Sequence, residues 1–171
     1  MEIKVNKVII TGCAGFIGAM VSKKFLENGI SVLGIDNLNN YYDVELKKKR
    51  LSYVKKDLKN VEDLWQFHNV SIQEKDNIFD LCEKFLPDII INLAAQAGVR
   101  YSIDKPDIYL NSNIVGTFNV IKIANGNNVN VCAKLIELPK ALKSNQTCIL
   151  ATNQLIEEKI NICNINFWFL R

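Results

Sequence analysis

Between Val8-Ile9-Ile10, a continuous apolar run, and the helical periodicity that starts at Phe16, the chain reads Thr11-Gly12-Cys13-Ala14-Gly15-Phe16-Ile17-Gly18. Three glycines at three-residue intervals between a strand and a helix leave few folds open. A short strand that is apolar throughout is buried on both faces, as in a parallel sheet. Gly12 permits the tight turn out of that strand, Gly15 lets backbone come close to a pyrophosphate, and Gly18 lets the helix pack near the sheet. The helix start at Phe16 and Ile17 then offers free N–H groups and a positive dipole end, an anion site that needs no basic side chain.

A glycine turn can also serve packing alone, so a second feature has to separate the two uses. Val32-Leu33-Gly34-Ile35 is a second strand, and it ends at Asp36, 18 residues after Gly18. A carboxylate there accepts hydrogen bonds from the ribose hydroxyls of an adenine dinucleotide. It also meets the 2′-phosphate of NADP as a like charge, and no Arg or Lys immediately follows it. Strand, loop, helix and acid together predict an NAD site.

The rest of the pattern fits one architecture. Ile17, Met20, Val21 and Phe25 recur at helical spacing, and Asn28-Gly29 closes that helix. Residues 37–42 form a polar loop, and residues 44–54 have the charge density of an exposed helix. The stretch 55–69 is ambiguous. Residues 70–73 read as a third strand, 77–85 as a helix stopped by Pro87, Ile89-Ile90-Ile91 as a buried strand, and 108–124 as a long helix. Strands alternating with helices predict an α/β fold, a Rossmann-type doubly wound parallel sheet, because parallel neighbours need crossover connections. Beyond Asn125 the pattern deteriorates into an irregular tail, with weak helical signals at 134–142 and 154–160.

Composition narrows the function classes. The net charge of +3 is spread along the chain apart from Lys47-Lys48-Lys49-Arg50, which reads first as the solvated face of a helix and only weakly as a phosphate-seeking patch, so no nucleic-acid surface is expected. Five cysteines without a Cys-x-x-Cys pair, and His68 as the sole histidine, suggest neither a metal site nor a disulfide scaffold, and a reducing cytoplasm fits best. The first apolar run goes straight into a glycine turn and reads as a strand, not a signal peptide. No stretch approaches the roughly 18 uninterrupted apolar residues that suggest a membrane span, and Phe167-Trp168-Phe169-Leu170 is too short.

Three motifs in order make the sequence familiar: the glycine loop, then Asp36-Asn37-Leu38-Asn39-Asn40-Tyr41-Tyr42-Asp43, then Asn92-Leu93-Ala94-Ala95-Gln96-Ala97-Gly98-Val99-Arg100-Tyr101-Ser102. They resemble the extended short-chain dehydrogenase/reductases, the NAD-dependent epimerase/dehydratase family, and within it, by residues 96–102, the UDP-glucuronate 4-epimerases, with a related dehydratase or decarboxylase as the main rival. The resemblance continues through Pro106, Tyr109, Asn113, Gly116, Thr117 and Asn119. It implies that Gly12, Gly15, Phe16, Ile17, Gly18, Asp36 and Asn37 bind NAD. Ala94 and Ala95 would be small for close approach to the cofactor, although tight packing alone also explains them, and Asn113 would support the site from the following helix. Where the family has an Asp and an apolar residue against the adenine, this chain has Ser71-Ile72, which implies weaker adenine binding. Arg100 would pair with a uronate carboxylate or a diphosphate, or be an ordinary surface arginine. The implied partner is a nucleotide sugar resembling UDP-glucuronate, and the family's habit of pairing through two helices implies a homodimer by way of 44–54 or 108–124.

The family's chemistry uses a Tyr whose pKa is lowered by a Lys four residues later on the same helix, beyond a serine-rich fifth strand. No tyrosine follows Tyr109 here, and residues 129–136 hold no serine or threonine. Tyr101-x-x-x-Lys105 has the spacing but precedes Pro106, which disfavours the helix the spacing requires. No catalytic residue is therefore assigned. The expectation is an NAD-binding domain at 1–124 and a divergent tail at 125–171, with the sugar-binding lobe absent. Such a chain would be a truncated or frameshifted and inactive epimerase front half. Its alternatives are a non-catalytic nucleotide-binding or dimerising module, and one half of a split enzyme.

Overall fold

The computed structural model describes residues 5–98, 100–127, 129–133 and 149–150. Six strands, β1 (Lys7–Thr11), β2 (Ser31–Ile35), β3 (Trp65–His68), β4 (Ile89–Asn92), β5 (Asn130–Ala133) and β6 (Ile149–Leu150), form one sheet. Their order is β3-β2-β1-β4-β5-β6 and all five pairings are parallel. This is the doubly wound arrangement expected from the sequence, with the strand order reversing between β1 and β4.

The helices are α1 (Phe16–Glu27), α2 (Val44–Lys55), α3 (Val61–Leu64), α4 (Lys75–Phe85), α5 (Tyr101–Asp104), α6 (Pro106–Tyr109) and α7 (Thr117–Gly126), with a π-helical stretch, Leu110–Gly116, between the last two. Alternate strand residues point to opposite faces, so each face of the sheet has its own core. Val8, Ile10 and Val32 join Phe25 of α1, Val54 of α2 and Trp65. Ile9, Leu33, Ile35 and Ile90 join Ile78 and Cys82 of α4 and Val120 and Ile123 of α7. Burial on both faces is why β1 and β4 carry continuous apolar runs.

Two expectations are corrected. The third strand is Trp65–His68, inside the stretch that read as ambiguous, and not 70–73. Trp65 is buried and carries β3 against the core, pairing with Val32, whereas Ser71 begins a turn. In that turn the Ser71 hydroxyl accepts from the Gln73 N–H at 3.3 Å, and the Glu74 carboxylate accepts from the Ser71 N–H at 2.9 Å. These two bonds close the turn that precedes α4, whose N-cap is Glu74. The expected helix over 108–124 starts at Pro106 and widens into the π-helical stretch before tightening again as α7. The helical signals at 134–142 and 154–160, and the apolar end at 167–170, lie outside the described residues.

Candidate functional site

A cleft of about 260 Å³ opens at the C-terminal ends of β1, β2 and β4, the reversal point where doubly wound sheets take ligands. The loop from β1 to α1 builds its floor. Gly12 turns at φ +69° and donates its N–H to the Ile35 carbonyl at 2.7 Å. A Cβ on Gly12 would meet the Ala94 nitrogen and the Leu93 carbonyl carbon at 2.8 Å, so the two loops touch only because residue 12 has no side chain. Gly15 is the N-cap of α1 at φ −70°, ψ 170°. No side chain caps this helix, and no first-turn residue is acidic. The start of α1 is thus open to an anion.

Of the residues predicted to bind the cofactor, Gly12, Gly15, Phe16, Asp36, Asn37, Ser71, Ile72, Ala94 and Ala95 all line this cleft. Ile17 and Gly18 do not; a Cβ on Gly18 would collide with the Gly12 carbonyl, so its smallness serves the packing of α1 on the loop. Asn113 also stands outside the lining, in the π-helical stretch. There its amide accepts from the Gln96 N–H at 2.7 Å and donates to the Gln96 carbonyl at 3.0 Å, holding the loop after β4 in place. Its neighbour Ser112 reaches the cleft instead. Arg100 is exposed and is not among the lining residues. Asn119 donates to the carbonyls of Ile72 and Gln73, both at 3.3 Å, which ties the Ser71-Ile72 corner to α7.

A buried polar relay locks the floor from beneath. The Thr11 hydroxyl donates to the Asn92 side-chain oxygen at 2.5 Å and accepts from the Ala94 N–H at 3.1 Å, while the Asn92 side-chain amide N–H donates to the Thr117 hydroxyl at 3.2 Å. Asp36 is only 8% exposed. One of its oxygens accepts from the Ala14 N–H at 3.1 Å and the other from the Leu38 N–H at 2.9 Å. Burial pushes the Cys13 thiol far above the ordinary cysteine range, and the Asp36 charge pushes it further the same way, so Cys13 packs the loop as a neutral thiol.

Sequence reasoning missed Asn39, Tyr41, Tyr42, Lys47, Arg50, Gln96 and Ser112, all of which line the cleft. The reading of Lys47-Lys48-Lys49-Arg50 as a solvated face is corrected at its first member. Lys47 is 6% exposed, its ammonium donates to the Asn39 side-chain oxygen at 3.0 Å, and it lies 3.8 Å from Asp36. The signal was present: Lys47 shares a helical stripe with Leu51 and Val54, which pack into the core. The Tyr101-x-x-x-Lys105 pair fails as expected from Pro106. Tyr101 begins the single turn α5, and Lys105 leaves the helix at φ −135°, ψ 59°.

Comparison with known proteins gives this geometry its relatives. The family model for GDP-mannose 4,6 dehydratase matches residues 9–138. The chain belongs to this family. It is 40% identical over 123 residues to Protein CapI of Staphylococcus aureus, covering 72% of this chain and 35% of that protein. It is also 40% identical over 115 residues to the UDP-glucuronate 4-epimerase of Thermodesulfobacterium geofontis, covering 67% and 34%. The chain thus spans about a third of the length of the curated relatives it matches. In fold it is similar to the UDP-glucose 4-epimerase of Thermus thermophilus solved in complex with NAD, with a TM-score of 0.59 and 23% identity over 81% of this chain and 42% of that one. Family membership therefore rests on the portion that builds the cleft. Among the described residues no helix is long and apolar enough to cross a membrane, and no cluster of ligating side chains suits a metal ion.

Proposed function

We propose that this chain is the NAD-binding part of a sugar-nucleotide epimerase of the UDP-glucuronate 4-epimerase type, and that these 171 residues bind NAD without turning over a sugar. The observation that carries the reading is the uncapped, acid-free start of α1 opening into the same cleft as the Asp36 carboxylate. The cleft suits a dinucleotide. Gly12 and Gly15 keep side chains away from the loop where a diphosphate needs backbone N–H groups, and Asp36 retains acceptor capacity for ribose hydroxyls after its two backbone bonds. Ala94 and Ala95 leave the opposite wall shallow, and Ile72 offers an apolar edge beside Ser71 for the adenine.

When bound, NAD supplies a hydride acceptor for a sugar hydroxyl. The described residues of the cleft bind and orient, and among the described residues the Tyr-x-x-x-Lys pair of the resemblance is not assembled on a helix. Tyr101 and Lys105 do not share a helical face, because Lys105 leaves the single turn α5 at its C-cap. A nucleotide sugar such as UDP-glucuronate is the substrate class of the complete enzyme, a reading supported by the UDP-glucuronate 4-epimerase relative.

The test is calorimetric titration with NAD of the wild-type chain and of Gly15→Val, followed by an epimerisation assay on UDP-glucuronate. Gly15 has a negative φ that valine also adopts, but a Cβ there would stand 3.0 Å from the Gly12 carbonyl oxygen, so the substitution crowds the loop itself, and a thermal melt establishes that the variant is folded. Binding in the wild type, a loss of at least about 50-fold (about 2.3 kcal/mol) in the variant, and no turnover in either is the expected result. A wild-type chain that folds but binds no NAD sinks the proposal.

A further inference from the structure

Two tyrosines from different parts of the chain meet at Gly98. Tyr41 arrives on the loop after β2 and Tyr109 ends α6, and neither belongs to either core. Gly98 turns at φ +99°, and a Cβ there would collide with the Tyr41 hydroxyl oxygen and stand 3.5 Å from that of Tyr109. The Tyr109 hydroxyl shares its proton between the Ala97 carbonyl, at 2.7 Å, and the Gly98 carbonyl. Tyr101 packs against both rings, 5.1 Å from Tyr41 and 6.3 Å from Tyr109 between centroids, within the range at which aromatic pairs attract. Asn113 bonds to both backbone groups of Gln96, so three consecutive residues of the loop after β4 are held by side chains that come from elsewhere.

Tyr41 and Ala97 line the cleft, whereas Tyr101 and Tyr109 do not. Tyr41 thus joins the loop after β2 to the loop after β4 along the cleft wall, while Tyr109 supports that wall from behind. The helical run from Tyr109 to Asn119 fixes which end of the cleft this is. Asn119 donates to the carbonyls of Ile72 and Gln73, and a Cβ on Gly116 would stand 2.6 Å from the Ile72 side chain, so this part of the run meets the Ser71-Ile72 corner. About two turns earlier, roughly 10 Å along the helix axis, Tyr109 holds Gly98. We propose that Tyr109 and Tyr41 are positioning residues that hold the loop after β4 at the end of the cleft remote from the adenine corner. A long nucleotide feels them, and a shorter one seated at the Ser71-Ile72 corner does not. This role rests on the cofactor reading above.

The test is paired titration with NAD and with ADP, which lacks the nicotinamide riboside, of the wild-type chain, Tyr109→Phe, Tyr41→Ala and Tyr41→Phe. Thermal melts establish that each is folded, and hydrogen exchange of the free chains reads the loop itself. Tyr109→Phe deletes one hydroxyl and keeps the ring. It should weaken NAD about fivefold, as the loss of one hydrogen bond implies, leave ADP within about twofold, and speed exchange at residues 96–98 with β1 and β4 unchanged. Tyr41→Ala should act in the same direction by about threefold or more, the range of a lost aromatic pair, and Tyr41→Phe should stay near wild type. Equal weakening of both nucleotides by Tyr109→Phe overturns the proposal, because the tyrosine would then be only structural. NAD affinity unchanged in Tyr109→Phe also overturns it, whatever the exchange shows. A wild-type chain that binds NAD no more tightly than ADP overturns it too and leaves the adenine half of the cofactor reading standing, and a folded wild type that binds neither nucleotide overturns both.

Discussion

A methyl group added at Gly34 would run into the Trp65 ring and come within 2.8 Å of the Cys13 sulfur. The tryptophan is buried between sheet and helices and the thiol is fully enclosed, so neither neighbour has room to withdraw. Gly34→Ala should therefore destabilise the chain by about 1–3 kcal/mol, the usual cost of overpacking, read as a lower urea midpoint with an unchanged slope. No loss of stability would mean that Trp65 repacks freely. Single residues were unevenly legible for the same steric and electrostatic reasons. Gly12, Gly15 and Asp36 announce themselves because glycine spacing and a strand-end acid have few other uses. Lys47 did not, because a lysine in a charged run is normally solvated, and only its place on the stripe of Leu51 and Val54 says otherwise.

At the scale of elements, apolar runs were read well where burial on both faces made them continuous, as in β1 and β4, and poorly at the sheet's edge. Trp65-Gln66-Phe67-His68 and Val70-Ser71-Ile72-Gln73 both alternate, so periodicity alone does not choose between them. The discriminating signal was local: Ser71 followed three residues later by Glu74 is a helix-start pattern, and a residue that begins a turn cannot also sit mid-strand. Glu74→Ala removes the acceptor for the Ser71 N–H and for the Asn77 amide, which now donates to Glu74 at 2.7 Å. We expect a loss of about 1 kcal/mol, the usual net contribution of a hydrogen bond, measured by equilibrium urea unfolding against the wild type. Unchanged stability would show that the turn is held by its backbone bond from Glu74 to Ser71 and by the Ser71 hydroxyl, without the Glu74 carboxylate.

For the whole molecule, the consequential fact is that the cleft belongs to no single element. Its floor is the end of β1, its acid ends β2, its alanines follow β4, and the Thr11, Asn92 and Thr117 relay binds β1, β4 and α7 beneath it. A ligand held there stabilises the sheet as a unit only if those strands unfold together. At a free NAD concentration of about 100 times Kd, linkage adds about 2.7 kcal/mol. For a chain of this size that raises Tm by roughly 5–10 °C. The shift should be equal by far-ultraviolet circular dichroism, which follows the helices and strands, and by near-ultraviolet signals from aromatic packing around the cleft. It should vanish in Gly15→Val. A shift confined to the aromatic signal would mean that the cleft orders locally on a sheet that melts independently, and the relay would then be a bracket for the loop after β4 and not a tie across the fold.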